Sequence, residues 1–174
     1  MNDPLHRRRV DPFVPLPLDL SLLQNSPVTL YHLREVLDDD LQKLANCKYR
    51  NVIFDCSTWQ SEMDLHRAFA DQLQFPNYYG HNFDALNDCL GDANIIDQDT
   101  AVVLLHFNDF SRENPRAWLV LDIIANASWF HLLFGTRLLG LVQSTDPQIS
   151  FESVGARPVI WNPREWFDSS RLPR

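Results

Sequence analysis

The sequence predicts an α/β fold: a small three-stranded parallel sheet packed with helices, with N- and C-terminal extensions. Three observations predict it. Residues 49–56, 100–107 and 137–143 are short apolar runs with the length and composition of buried strands. Helical segments separate them in the order strand, helix, helix, strand, helix, strand, which calls for right-handed crossovers and parallel pairing. The apolar fraction, 45% of 174 residues, supplies a core for one domain with extensions. The expected division is 1–48 as a proline-rich arm plus an amphipathic helix, 49–145 as the domain, and 146–174 as a tail packed on it.

Residues 1–28 carry Pro4, Pro12, Pro15, Pro17 and Pro27 and read as an extended arm with little regular structure. Phe13, Val14, Leu16, Leu18, Leu20, Leu22 and Leu23 make it too apolar for a free linker, so part of it should lie against the domain. Residues 29–46 read as one amphipathic helix, with Leu30, Leu33, Leu37, Leu41 and Leu44 as its apolar stripe. Glu35, Asp38, Asp39 and Asp40 then read as a solvated face. The first strand holds Val52, Ile53 and Phe54. Ser61-Glu62-Met63-Asp64 resembles a capping box and starts a helix to about Gln74, with Leu65, Phe69 and Leu73 inward. His66 in its early turns reads as a hydrogen-bonded structural histidine.

Pro76 pushes Phe75 out of helical geometry, so that helix must stop there. Gly80 is expected to supply a positive φ and Asn82 an N-cap. A short helix then runs over 83–90, with Phe83, Leu86 and Leu90 buried. Residues 91–99 form a polar loop, 100–107 a fully buried strand and 108–115 a loop, and Pro115 opens a helix over about 115–133. That helix is apolar nearly all round, with Trp118, Leu119, Leu121, Ile123, Ile124, Trp129 and Phe130, so it is either buried on most sides or exposes an interaction patch. In the tail, 149–154 and 158–161 are candidates for two short strands about Gly155-Ala156, and 163–166 a candidate closing segment.

The net charge of −8 repels nucleic acid and favours basic partners. Cys47, Cys56 and Cys89 form no metal-ligand spacing and read as free thiols of a reducing cytoplasm. No run has the pattern of a signal peptide or the length of a membrane span. No G-x-S-x-G elbow is present. His66, His81 and Cys89 with the aspartates do not close a metal site. The expectation is a non-enzyme without cofactor or metal.

Asp84 and Asp88 lie one helical turn apart and so share a face. Their repulsion costs roughly 0.2–0.5 kcal/mol, offset at Asp84 by the helix N-terminus. With Tyr78 and Tyr79 just before them, they form an acidic and aromatic ledge at a loop–helix junction. A solvated helix face with one core tyrosine is the plainer reading of the same residues.

Asp64-Leu65-His66, then Phe75-Pro76-Asn77-Tyr78-Tyr79-Gly80, Asn82 and Asp84-Ala85-Leu86-Asn87-Asp88-Cys89-Leu90, resemble the signature of the barstar family, intracellular inhibitors of secreted-type ribonucleases. The match is dense over 64–90 and weaker over 50–143. The resemblance implies the same small parallel sheet and a partner-binding set of Tyr78, Gly80, Asn82, Asp84, Asn87 and Asp88. Asp88 would anchor in the enzyme's phosphate-binding cleft, with Asp84 beside it and Tyr78 against the catalytic histidine. Gly80 and Asn82 would add backbone and amide contacts, while Tyr79, Leu86 and Cys89 would be structural.

This sequence departs from the family where a tryptophan often precedes the second aspartate (Asn87 here) and where a Gly-Trp contact follows the helix (Gly91-Asp92-Ala93 here). It departs again where a late acidic contact falls near Trp129-Phe130, with Asp122 and Asp109 as candidate substitutes. The expected function is cytoplasmic inhibition of a basic ribonuclease or related toxin, by a monomer that binds neither nucleic acid nor membrane. The alternative is a barstar-fold interaction module with a non-nuclease partner.

Overall fold

A computed structural model describes residues 15–167. The sheet is parallel throughout but has five strands, not the three expected: β1 (Val28–Tyr31), β2 (Arg50–Asp55), β3 (Thr100–Leu105), β4 (Leu138–Gln143) and β5 (Ile160–Trp161), in the order β2-β3-β4-β1-β5. Six helices cover it: α1 (Leu18–Asn25), α2 (Arg34–Asn46), α3 (Glu62–Leu73), α4 (Phe83–Leu90), α5 (Phe107–Glu113) and α6 (Trp118–Leu133).

Strand β1 corrects the reading of 29–46 as one helix. Val28, Thr29, Leu30 and Tyr31 form a strand buried at every position, and the helix starts only at Arg34. Leucines at helical spacing masked a β-branched and aromatic run that needed both of its neighbours, β4 and β5, to become a strand. Leu33, assigned to the stripe, is 38% exposed, while Leu37, Leu41 and Leu44 are buried. The tail differs as well. Val154 and Arg157 form one antiparallel bridge about Gly155-Ala156, 149–154 is not a strand, and 160–161 pairs with β1. A 3-10 turn, Pro163–Glu165, closes it.

The arm also folds further than expected. Pro4, Pro12, Phe13 and Val14 lie outside the described residues, but α1 is helical and buries Leu22 and Leu23. Its Asp19 carboxylate pairs with Arg137 at 2.6 Å and accepts from the Tyr49 hydroxyl at 3.1 Å.

β3 and β4 are buried at all positions, as suits central strands of a parallel sheet. Val52, Phe54, Val102, Leu104 and Val142 point to the layer of α3, α4 and α6. Tyr31, Ala101, Val103, Leu139 and Leu141 point to α1 and α2. Gly140 lets α6 approach. A Cβ there would lie 2.9 Å from Ile124 Cγ2 and 3.1 Å from Val28 Cγ2.

Residues 108–115 were expected to be a loop, yet most of them belong to α5. Phe107, Asn108 and Phe110 are buried, which fixes the segment as a helix. His106 enters it in the left-handed region, and Pro115 forces Asn114 into extended geometry, which ends it.

Candidate functional site

The loop between α3 and α4 is held from below. The capping box at Ser61 is present in full, with the Ser61 amide donating to Asp64 at 3.0 Å, and α3 ends at Gln74 in the left-handed region. Phe75 and Tyr79 pack edge to face at 4.8 Å. The Tyr79 hydroxyl and His66 Nδ1 share a hydrogen bond at 2.6 Å, both residues being buried. His66 also meets the Phe83 ring edge to face at 5.2 Å, and the Arg116 guanidinium lies over the Phe83 ring, 4.9 Å from its centroid. Burial, with the nearby charges of His81 and Arg116, holds the His66 pKa down to about 4.

On this support the loop turns outward. Tyr78 is 86% exposed, next to a buried Tyr79. The positive φ expected of Gly80 falls instead on His81, at 47°. Gly80 serves a different need: a Cβ there would lie 3.0 Å from Asn82 Nδ2, which donates to the Gly80 carbonyl at 3.2 Å. Asn82 caps α4, its Oδ1 accepting from the Ala85 amide at 2.8 Å.

α4 buries Phe83, Leu86, Cys89 and Leu90 and turns Asp84, Asn87 and Asp88 to solvent. Among the described residues no Arg or Lys forms an ion pair with Asp84 or Asp88. Asn87 and Asp88 border a cleft of about 350 Å³ between α4 and α6, completed by Gly91, Asn126, Ala127 and Phe130. At its end the buried His131 donates from Nε2 to the Leu90 carbonyl at 2.7 Å, satisfying a carbonyl of α4's last turn.

The structure thus brings Asn87 and Asp88 together at the cleft and joins Gly80 to Asn82, with Tyr78 at the loop's exposed tip. Sequence reasoning missed the cleft's far wall, Asn126 and Phe130. The signal was the apolar surround of α6, which left open a buried helix or a patch. Both occur: Ile124 and Leu121 are buried, while Phe130, Leu133 and Phe134 are exposed. Neither candidate for the late acidic contact lines the cleft. Asp122 accepts from the Gly155 amide at 2.8 Å and from Asn126, and Asp109 accepts from Asn108. No group of His, Cys, Asp and Glu among the described residues is arranged to hold a metal, and no helix there is long and apolar enough to cross a membrane.

A family model described as barstar (barnase inhibitor) matches residues 49–136, half of the chain. The chain belongs to the barstar family. A relative from Bacillus subtilis (strain 168), named "Putative ribonuclease inhibitor YrdF", is 40% identical over 80 residues, which are 45% of this chain and 85% of the relative. The barstar match spans β2, β3 and the four helices α3 to α6. Strands β1, β4 and β5, with helices α1 and α2, come from sequence outside it.

Proposed function

We propose that this barstar-family protein binds a basic ribonuclease and blocks its active site with the surface of α4 and the loop before it. The observation that carries the reading is a pair of aspartates, Asp84 and Asp88, exposed one turn apart with no ion-pair partner among the described residues, beside an exposed Tyr78. A ribonuclease cleft collects Arg, Lys and His to hold phosphates, and fixed carboxylates can take those places through charge-assisted contacts. Asp88 acts as the anchor, Asp84 as the second carboxylate and Tyr78 as the aromatic contact, with Gly80, Asn82 and Asn87 around them. Inhibition is by occlusion, without cofactor or turnover, and the free protein is a monomer. A cytoplasmic site of action and a role as immunity partner of a ribonuclease toxin follow from the same reading. The partner surface belongs to 49–145, while 15–48 and 146–167 serve the fold.

A second reading, a barstar-fold module with a non-nuclease partner, is favoured by the apolar side chains that stand at the end of α6. One titration separates the two. The purified chain is added to barnase and to other small basic ribonucleases, and complex formation and residual RNA cleavage are read together. The inhibitor reading expects a one-to-one complex and loss of cleavage. It is abandoned if no basic ribonuclease is bound while a firm complex with another protein is recovered.

A further inference from the structure

A second cleft, of about 370 Å³, opens at the start of α6, lined by Trp118, Ser150, Phe151 and Glu152. One wall is the helix, and the other is the tail segment after β4, which lies outside the barstar match. Trp118 and Phe130 are twelve residues apart on α6, about 18 Å of helix rise, so this cleft is separate from the one beside Asp88. Trp118, one of the residues that make α6 apolar nearly all round, is 45% exposed here.

The tail wall is held in place. The Gly155 amide donates to Asp122 Oδ1 at 2.8 Å, the buried Val154 bridges to Arg157, and the Phe151 ring packs on the buried Phe107 at 5.7 Å. A Cβ on Gly155 would lie 2.9 Å from Ala125 Cβ, so the chain there runs directly against α6.

The cleft's chemistry selects a cation. The Glu152 carboxylate has no hydrogen-bond or ion-pair partner among the described residues. Asp122 sits one turn on from Trp118, on the same face, and adds a second negative charge. The cations nearest in sequence are committed elsewhere: Arg112 to Asp146, Arg116 to Glu62 and the Phe83 ring, and Arg157 to the Trp129 ring. An anion does not suit the site, because the amides of Ala117, Leu119 and Val120 at the start of α6 already donate to carbonyls three residues back. A primary ammonium or a guanidinium carries several N–H donors, and the lining side chains offer acceptors at Glu152 and Ser150 alone. A methylated ammonium needs fewer acceptors and is held by ring faces and charge.

We propose that this cleft binds a small methylated ammonium compound, its cationic head against the Trp118 ring and paired with Glu152. The site is independent of the α4 face and of whether that face meets a ribonuclease.

The test uses the full chain labelled with nitrogen-15 and tetramethylammonium chloride as the probe. The Trp118 indole N–H signal is identified by its loss in Trp118→Phe. A saturable shift of that signal and of the Ser150, Phe151 and Glu152 amides is expected in the millimolar range. Affinity should weaken by roughly fivefold or more in Glu152→Gln, whose native melting is checked first, and in Trp118→Ala. Equal shifts from tert-butanol, a neutral molecule of similar shape, or from sodium chloride at the same ionic strength overturn the proposal, as does unchanged affinity in Glu152→Gln. Choline and a peptide carrying trimethyllysine are titrated side by side. Tighter binding of choline supports the small-molecule ligand, and tighter binding of the peptide overturns it in favour of a modified protein segment. Ribonuclease inhibition should be equal with and without saturating tetramethylammonium, and a loss of inhibition overturns the independence of the two sites. The ammonium readout stands whether or not any ribonuclease is inhibited.

Discussion

Asp40 on α2 and Asp88 on α4 are both aspartates on the acidic side of an amphipathic helix, yet Asp40 is fully enclosed and Asp88 is exposed. Asp40 accepts from the Tyr31 hydroxyl at 3.0 Å and from Asn162 at 2.9 Å, and Arg164 pairs with its other oxygen at 2.6 Å. Those partners arrive on β1 and on the C-terminal tail. The buried Glu165, on the same tail turn, accepts from the amides of His32 and Leu33, at the entrance to α2. Asp88 has been given nothing comparable by its own chain among the described residues. The expectation that Asp38, Asp39 and Asp40 form one solvated face therefore fails at Asp40, because a cation from the tail closes over it. The difference teaches that a carboxylate's role follows from where the chain sends its cations: Asp40 is tied to the tail by Arg164, and Asp88 has no cation beside it among the described residues.

The comparison can be broken most directly at Asp88. Asp88→Ala should cost at least about 2 and up to about 8 kcal/mol of binding to the inhibited ribonuclease, with its melting temperature unchanged, since truncation strands the partner's charges. The barnase–barstar pair is itself an instance of such large effects, so the magnitude is the family's. Unchanged affinity by calorimetry would remove Asp88 as the anchor.

The opposite pattern is expected at Asp40. Asp40→Ala should destabilise the fold by about 3–5 kcal/mol, because Arg164 and the Tyr31 hydroxyl lose their buried partner. Ribonuclease affinity of the folded fraction should be unchanged. A denaturation midpoint equal to that of wild type would show that Asp40 does not hold the tail.

A third measurement asks what supports the exposed ledge. The His66 pKa is held at about 4 against an ordinary 6.5, so between these values the unfolded chain binds a proton that the folded one does not. Stability from this group is fully present above pH 6.5 and is lost as pH falls toward 4, on the order of 3 kcal/mol in all. His66→Gln should flatten that part of the curve of denaturation midpoint against pH. A slope that survives the substitution assigns the effect elsewhere.

The smallest effect is expected at the helix cap. Asn82→Ala should cost about 1 kcal/mol of stability through the lost bond to the Ala85 amide. It should also weaken ribonuclease binding, because Asp84 stands in the turn that the cap orders. A variant less stable but equally tight would separate the cap from the surface it starts.

Local chemistry was enough for the ledge. Pro76, Asn82 and the run from Phe83 to Leu90 place a stop, a cap and an amphipathic helix by rules that need no distant partner, and all three occur where expected. His66 is hydrogen-bonded as expected, to a partner, Tyr79, that the sequence did not name, and the capping box at Ser61 belongs to the same class. Gly80 did not, because a glycine is required equally by a positive φ and by a close neighbour, and only coordinates tell which.

The sequence by itself determined the strands β2, β3 and β4, the helices α3, α4 and α6 and the acidic ledge, because each is specified by propensity and periodicity within a few turns of chain. Only the tertiary structure decided that β1 enters the sheet between β4 and β5, that Arg164 closes over Asp40, and that Phe130 faces Asp88 across a cleft. Those are pairings between segments far apart in sequence. Their free energy comes from burial and charge compensation that no single segment carries alone.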